Sequence, residues 1–295
     1  MVVGEALIDV VRTGDAVTDL PGGSAANAAV ALARLGRAVE FWTGYGADAH
    51  GALLDAHLAA SGVVLAADPR VLDRTPTATA TIGVGGAASY RFDVSWDLPE
   101  LSADALARVR AVHVCSWGPV LAPGARAVEA LLASSAVPIS YDVNVRGAVT
   151  GVGAVLREAV ERTARHATLV KASDEDLEVL YPGLGTAEAA ARVRALGPAA
   201  VVVTRGAEGA SWYGARSVHV SARPVAVVDT IGAGDTFGAA LVDALLDDGM
   251  GALDALATAR IEAVLERAGA AAAIAVSREG ADPPYAAELE AAVRG

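Results

Sequence analysis

The chain has 295 residues, of which 54% are apolar and 20% are charged, and its formal net charge at pH 7 is −12. This composition is typical of a globular protein with a large core, and the excess of acidic residues argues against nucleic acid or an anionic membrane as the main partner. Cys115 is the only cysteine, which excludes an intrachain disulfide and favours a reducing, cytoplasmic compartment. No uninterrupted apolar run reaches 18 residues, so no membrane span is predicted.

The N-terminal segment predicts a strand, a hairpin and a helix. Residues 2–11 are mostly apolar and predict one buried strand with Asp9 near its carboxyl end, where an acid needs a partner, a ligand or solvent. Residues 12–20 are polar and predict a hairpin. Ala25–Leu35 then predicts a helix, and Asn27 falls in its first turn. The Asn27 amide is therefore expected to face whatever lies at the mouth of this helix.

Residues 75–94 predict two short strands around a turn at Gly83–Gly86, with no helix between them. Such a pair does not fit a repeating βα order. We therefore expect a small antiparallel lid, formed by about 10–20 and 75–95.

After Leu98 the pattern becomes regular, because helices alternate with short apolar strands. The predicted pairs are helix 102–109 with strand 111–116, 123–134 with 137–143, 152–164 with 167–170, and 186–196 with 199–204. A hairpin at 211–220 and helical segments at 251–276 and 285–294 follow. Strands and helices that alternate in this way predict a parallel sheet covered on both faces. We find no linker or internal repeat, so 1–295 is expected to form one α/β domain from which the lid projects.

Ligands of such sheets bind outside the carboxyl ends of the strands. The polar residues predicted there are Asp142, Asn144 and Arg146 after one strand, 173–176 after a second, and Thr204–Gly206 after a third. All of them are expected at the same edge of the sheet as Asp235.

The stretch Val228–Phe237 has the sequence Val-Asp-Thr-Ile-Gly-Ala-Gly-Asp-Thr-Phe and leads into a helix-period segment, 236–246. Glycines at the mouth of a helix let unpaired amides converge on one anion, which the helix dipole also favours. Asp235 would then lie beside a phosphoryl group, as a proton acceptor for an attacking hydroxyl. The alternative is a tight strand-to-helix turn after the apolar run 224–228, with Asp235 as the N-terminal cap.

Two segments resemble the signatures of the ribokinase-like, or pfkB-type, sugar kinases. Gly22–Gly36 (Gly-Gly-Ser-Ala-Ala-Asn followed by an alanine-rich helix) is similar to their N-terminal signature, and Asp229–Phe237 is similar to their C-terminal one. The resemblance covers essentially the whole chain. It implies a three-layer α/β/α sandwich with a small β lid, and transfer of the γ-phosphoryl group of ATP, with Mg²⁺, to a hydroxyl of a sugar or nucleoside. The sequence contains no Gly-x-x-x-x-Gly-Lys-Ser/Thr loop, so it is not a P-loop kinase.

The resemblance also assigns roles to residues of the acceptor side. It implies that Asp235 is the base, and that the amides of Gly232, Ala233 and Gly234 form the anion hole. Residues matched to the sugar are Asp9, Gly23 and Asn27, with Asn144 and Arg146 from a shared Asp-x-Asn-x-Arg segment and Arg91 from the lid. The structural alternatives are a satisfied core acid for Asp9, a capping contact for Asn27, a surface ion pair for Arg146 and an exposed strand for Arg91.

On the nucleotide side, Thr204, Gly206 and Gly209 resemble the phosphate turn of the family. Ser173 and Asp176 occupy the place of the family's Asn-x-x-Glu motif, which organises Mg²⁺; their alternative is the start of a helix with Ser173 as its cap. Asp229 is expected to help hold a monovalent cation such as K⁺, as in potassium-dependent relatives.

The opening strand, the Asp142–Arg146 segment and Ser173 resemble the fructokinase branch, so fructose is the first expectation for the substrate. A 2-keto-3-deoxygluconate kinase is the first alternative, followed by a ribose or nucleoside kinase. A protein that keeps the fold and binds sugar without turnover is the alternative from a different class. Many relatives pair through the lid, which makes a homodimer the expected assembly.

Overall fold

The computed structural model describes residues 1–14, 16–82, 88–102 and 104–294. The predicted Gly83–Gly86 turn lies outside this part of the chain. The strands are β1 Val2–Val3, β2 Leu7–Thr13, β3 Ala16–Gly22, β4 Glu40–Trp42, β5 Tyr45–Gly46, β6 Val64–Leu65, β7 Arg70–Leu72, β8 Thr77–Ile82, β9 Ala88–Asp93, β10 Val112–Cys115, β11 Ile139–Asp142, β12 Leu169–Ser173, β13 Ala200–Thr204, β14 Ala210–Tyr213 and β15 Ser217–Val220. The α-helices are α1 Ser24–Arg34, α2 Ala49–Ala60, α3 Ala125–Ser134, α4 Gly147–Thr150, α5 Ala154–Ala164, α6 Asp174–Leu180, α7 Thr186–Arg194, α8 Ala233–Leu246, α9 Thr258–Val276 and α10 Ala286–Arg294.

The central sheet has nine strands in the order β15-β14-β13-β12-β11-β10-β1-β4-β6. Strands from β13 to β6 are parallel, whereas β14 and β15 are antiparallel. Helices α1, α8 and α9 cover one face of the sheet, and α3, α5, α6 and α7 cover the other. The predicted α/β sandwich is therefore confirmed.

Burial on both faces explains why the central strands are continuously apolar. In β13, Val202 packs into the core with α8 and α9, while Val201 and Val203 pack into the core on the opposite face. Because successive side chains of a strand point to opposite faces, a strand covered on both sides needs no polar positions.

A second, four-stranded sheet has the order β3-β2-β8-β9. The β2–β3 pair is the predicted hairpin, with Thr13 opposite Ala16, and β8 and β9 are antiparallel, as expected for 75–94. The small sheet predicted beside the sandwich is thus present. None of the helices in the described chain combines the length and apolar character that a bilayer crossing requires.

The prediction of one strand over 2–11 is wrong, because β1 belongs to the central sheet and β2 to the small one. The chain turns between them at Gly4, which has a φ of 151°. A Cβ at Gly4 would lie 2.6 Å from the Cβ of Ala25, so only glycine permits this approach of α1. Asp9 consequently lies in the small sheet.

Two further segments differ in conformation from what their sequence patterns suggest. Among the described residues of the helix predicted over 102–109, the structure has a 3₁₀ turn at Ala105–Arg108 in place of an α-helix. The run 224–228 is not a strand, and Val227 and Val228 are 62% and 58% exposed. This segment is tied to the end of α9, where Val276 accepts the amide of Val228.

Candidate active site

The mouth of α8 lies at the carboxyl edge of the central sheet. Gly232 precedes the helix in the left-handed conformation, with a φ of 72°, and a Cβ there would lie 2.7 Å from the Cβ of Ala281. The amide of Ala233 donates to Thr230 O at 3.3 Å, whereas those of Gly232, Gly234 and Asp235 have no hydrogen-bond partner among the described residues. The helix therefore offers a glycine-lined set of amide donors, as an anion hole requires. The amide of Asp235 is a further free donor beside the predicted ones, and the role of the Ala233 amide stays a prediction.

The side chain of Asp235 is held by α1. Ser24 Oγ donates to one carboxyl oxygen at 2.7 Å, and Asn27 Nδ2 donates to the other at 2.8 Å. These three residues are buried, and 208 positions of sequence separate Asn27 from Asp235. The carboxylate can still accept a substrate hydroxyl, because an ionised carboxylate has about four acceptor sites. The helix cap is Gly232 and no strand precedes it, so the alternative of an Asp235-capped strand-to-helix turn is wrong.

The start of α1 is built around two glycines and Glu5. A Cβ at Gly23, whose φ is 102°, would lie 2.7 Å from Glu5 O. The Ser24 amide donates to Glu5 Oε1 at 3.1 Å, and Glu5 Oε2 is buried without a partner among the described residues. Burial, with a smaller contribution from the nearby Asp235, raises the pKa of Glu5 to about 8. Glu5 is therefore a neutral acid at pH 7, and it accepts a backbone amide at the start of α1.

Asp9, on β2 of the small sheet, lies near enough to Asp235 and Arg146 for their charges to act on it. Burial raises its pKa to about 6, the Asp235 carboxylate adds to the shift, and Arg146 opposes it. A Cβ at Gly22 would lie 2.2 Å from Asp9 Oδ2, so the glycine leaves room for the carboxyl group. Asp9 is partly exposed rather than a satisfied core acid, which leaves its oxygens available to a ligand.

A buried ion pair lies between the sheet and α8. Lys171 on β12 faces Asp142 on β11, and Lys171 Nζ donates to both carboxyl oxygens at 3.0 and 3.1 Å. Their side chains are 5% and 1% exposed. Burial lowers the pKa of Lys171, but the carboxylates of Asp142, Asp176 and Asp235 raise it above its usual value. Burial also raises the pKa of Asp142, and Lys171 opposes that shift. The contacts of one ammonium group with both carboxyl oxygens favour the charged pair.

The Asp142–Arg146 segment leaves β11 through a turn. Asn144 has a φ of 40°, and its carbonyl accepts a hydrogen bond from Ser116 Oγ at 3.3 Å. The side chain of Arg146 is exposed and donates to the carbonyl of Val145 at 3.0 Å. No ion pair involves Arg146 in the part of the chain that the structure describes, which does not support the surface salt-bridge alternative. Its charge instead acts on Asp9.

Ser173 and Asp176 form a capping box at the start of α6. Asp176 N donates to Ser173 Oγ at 3.0 Å, and Ser173 N donates to Asp176 Oδ2 at 2.7 Å. The other oxygen of Asp176 accepts the Val145 amide at 2.7 Å. This is the structural alternative foreseen from the sequence. A metal role for Asp176 stays a prediction, and its two oxygens are already engaged with backbone amides.

The residues predicted for the nucleotide follow the next strand of the sheet. Thr204 ends β13 directly opposite Ser173. Gly206 begins a 3₁₀ turn that Gly209 follows, and a Cβ at Gly209 would lie 2.1 Å from Val220 O. Asp229 joins two loops, because its oxygens accept the amides of Ile231 and Gly280, each at 3.0 Å. Thr204, Gly206 and Gly209 thus lie at or after the carboxyl end of β13, and the roles of all four residues stay predictions.

Arg91 contacts none of the other predicted site residues through a hydrogen bond or ion pair in the described parts of the chain. It lies on β9 opposite Thr79, is exposed, and makes no side-chain hydrogen bond or ion pair within 1–14, 16–82, 88–102 and 104–294. The structure thus matches its alternative, an exposed strand residue.

Sequence reasoning missed the roles of three polar residues in this site: Glu5, Ser24 and Lys171. The sequence contains a feature that could have indicated each of these roles. Glu5 and Lys171 are charged residues inside apolar strand-like segments, where a charge needs a partner. Ser24 follows the paired glycines and precedes Asn27 by nearly one helical turn, so both reach Asp235 from the same helix end.

Comparison with known proteins agrees with this architecture. Residues 1–287 match the model of the pfkB family of carbohydrate kinases, and the chain belongs to this family. A fructokinase of Rhizobium leguminosarum bv. trifolii is 35% identical over 267 residues, which cover 84% of this chain and 79% of that protein.

Solved structures show the same fold. A fructokinase of Xylella fastidiosa with bound ATP superposes with a TM-score of 0.88 at 27% identity, covering 100% of this chain and 98% of that one. A double mutant of Vibrio cholerae O395 fructokinase, bound to fructose, ADP and a potassium ion, superposes with a TM-score of 0.82 at 27% identity, covering 99% and 97%.

Proposed function

We propose that this chain is an ATP-dependent fructokinase. The observation that carries the proposal is the 2.8 Å hydrogen bond between Asn27 and Asp235, which joins the two signature segments beside the free amides of α8. A sugar hydroxyl and an anionic phosphoryl group can therefore meet in one cleft. Fructokinases among the relatives favour fructose as the acceptor.

In the proposed reaction, Asp9 and Asn27 bind hydroxyl groups of the sugar, and Asp235 accepts the proton of the hydroxyl that attacks. A new bond forms between that oxygen and the γ-phosphorus, while the bond from the γ-phosphorus to the β–γ bridging oxygen breaks and ADP leaves. The amides of Gly232, Gly234 and Asp235 stabilise negative charge on the transferred group. Positioning and electrostatic stabilisation account for most of the catalysis of such a loose transition state.

Mg²⁺ bound to the nucleotide would neutralise part of the phosphate charge. Because both oxygens of Asp176 accept backbone amides, Asp176 fits a contact through metal-bound water better than direct ligation. The described residues contain no cluster of three His, Cys, Asp or Glu side chains suited to a metal ion, which agrees with a metal held mainly by the substrate's phosphates. Asp229, which bridges two loops beside the anion hole, is the proposed support for K⁺.

Two properties of the whole protein complete the proposal: a cytoplasmic location and a homodimer through the small sheet. The free, buried thiol of Cys115 supports the first. Exposed Val17 and Leu20 on the edge strand β3 support the second.

The test is a coupled assay of ADP release over fructose, 2-keto-3-deoxygluconate, ribose and adenosine. We expect fructose to give the highest kcat/KM, and the Asp235→Asn variant to lose at least about a hundredfold in kcat while it still binds fructose. A higher kcat/KM for another acceptor would replace the fructose assignment. Turnover with none of them would favour a sugar-binding protein without kinase activity. Near-normal turnover of Asp235→Asn would refute the assignment of Asp235 as the base.

A further inference from the structure

The ion pair of Lys171 and Asp142 has no part in the reaction as proposed, although it lies directly beneath the anion hole. A Cβ at Gly234 would lie 3.2 Å from Lys171 Nζ, and a Cβ at Gly238 would lie 3.2 Å from Asp142 Oδ2. These glycines are four positions apart on α8 and therefore occupy one face of the helix. Hence the first two turns of α8 pack directly against the charged pair.

This arrangement places the ammonium group of Lys171 next to the N-terminal end of α8, where the helix dipole disfavours a positive charge. The N-terminal end of a helix carries partial positive charge, and burial of an ammonium group is costly unless carboxylates surround it. Lys171 meets these conditions, because Asp142 binds it and Asp176 and Asp235 act on it electrostatically. Lys171 is also the only lysine of the chain.

The groups near Asp235 are mostly acidic or uncharged, so a buried cation balances their negative charge. Asp9 on β2 and Asp142 on β11 interact electrostatically with Asp235. Glu5, next to the start of α1, keeps its proton at pH 7 because of its raised pKa. The buried thiol of Cys115 on β10 also interacts with Asp235, and burial holds its pKa well above the usual value, so it stays neutral. Ser24 and Asn27 of α1 donate hydrogen bonds but carry no charge. Lys171 is thus the buried positive charge that opposes these acids.

We propose that Lys171, anchored by Asp142, is a positioning residue for Asp235: its ammonium group supports the first turn of α8, which carries Asp235, and supplies a buried positive charge beside that turn. This role rests on the proposed kinase function. It does not require Lys171 to touch sugar or nucleotide. Arg146, the other cation near the cleft, is exposed and acts on Asp9.

The experiment compares two variants that change the field at Asp235 in opposite directions. Lys171→Gln removes the positive charge, so the acidic limb of the kcat/KM profile should move to higher pH by about 1 unit. Asp142→Asn removes a negative charge and leaves Lys171, so the limb should move to lower pH. In Lys171→Gln we also expect kcat to fall about tenfold while the dissociation constant for fructose changes less than about twofold.

Two further variants separate this role from a merely structural one. Lys171→Arg keeps the charge and should keep the wild-type position of the limb. The double variant Lys171→Gln/Asp142→Asn retains a neutral hydrogen-bonding pair, so it should fold even where a single variant leaves an uncompensated charge, and its limb should lie between those of the single variants. Thermal unfolding reports the folded fraction of each protein.

Losses of activity in Lys171→Gln and Asp142→Asn with both limbs at the wild-type pH would overturn the proposal and leave the pair a purely structural role. Shifts of the same sign in both variants, or a double variant with a wild-type kcat, would also overturn it. If the wild-type protein phosphorylated none of the four acceptors, the kinase function itself would fail and this role would fall with it.

Discussion

Glu5 shows how one buried acid can support a catalytic residue without touching it. Its carboxyl group accepts the amide of Ser24, and the hydroxyl of Ser24 in turn binds Asp235. Because burial raises the pKa of Glu5 to about 8, the group carries no charge at pH 7 and adds no repulsion to the carboxylates beside it. A neutral acid therefore fits this position better than an ionised one.

The raised pKa of Glu5 predicts a pH dependence of stability. Below about pH 4.5 the group is protonated in both the folded and the unfolded chain, whereas between about 4.5 and 8 only the folded chain keeps the proton. The free energy of unfolding should therefore fall as the pH rises through this window, by up to about 1.4 kcal/mol per pH unit from Glu5. Glu5→Gln keeps an acceptor for Ser24 and should lose this part of the slope.

Urea unfolding at several pH values across that window measures the slope. Glu262→Gln, which changes an exposed acid on α9, serves as the control and should keep the wild-type slope. Equal slopes in wild type and Glu5→Gln would show that Glu5 is already ionised at neutral pH.

At the scale of elements, the entry into α8 depends on Gly232. Its φ of 72° costs a residue with a side chain about 1–2 kcal/mol, and a Cβ would collide with Ala281. Gly232→Ala should therefore lower the free energy of unfolding and, by displacing the free amides, reduce kcat by about tenfold or more. Steady-state kinetics and urea unfolding test the two effects separately.

Gly249 offers a matched control, because its φ is 79° and a Cβ there would meet nothing within 4 Å. Gly249→Ala should show the strain in its unfolding free energy but keep the wild-type kcat. If Gly232→Ala lost no more kcat than Gly249→Ala, the α8 mouth would not be the anion hole.

Sequence patterns predicted the elements whose structure is determined locally. The helix ended by Gly36 and the apolar strands near 200–204 appear where the period of apolar residues placed them. The strand predicted over 2–11 failed at Gly4, since its break depends on the close approach of Ala25. That contact joins two elements and leaves no mark in the local pattern.

The candidate site likewise contains features that the sequence predicted and one that it could not. The paired signatures matched Asn27 to the sugar and Asp235 to the base, and the structure joins these two residues by a hydrogen bond. The pairing of Lys171 with Asp142 depends on the register between β11 and β12, which the apolar pattern of two fully buried strands does not specify. The partner of a buried charge could thus be expected from the sequence, but not identified.

At the scale of the whole molecule, the small sheet connects the sugar site to the surface. Asp9 lies on β2 within this sheet, whereas Asn27 and Asp235 belong to the sandwich. Its contact with α2 includes a 3.1 Å pair between His50 and Asp19, both partly exposed. A sugar held by Asp9 on one side and Asn27 on the other would therefore draw the small sheet toward the sandwich, as a lid does.

We accordingly expect fructose to slow hydrogen exchange of backbone amides in β3, β8 and β9, by about tenfold or more at ladder positions of the small sheet. The physical reason is that bound sugar adds contacts between the small sheet and the sandwich. Exchange measured by mass spectrometry with and without fructose tests this, and amides of β13, far from the small sheet, report any global change. Asp9→Asn, which weakens the link from β2, should show less protection, while exchange in β3, β8 and β9 that fructose leaves unchanged would show that the small sheet does not close over the sugar.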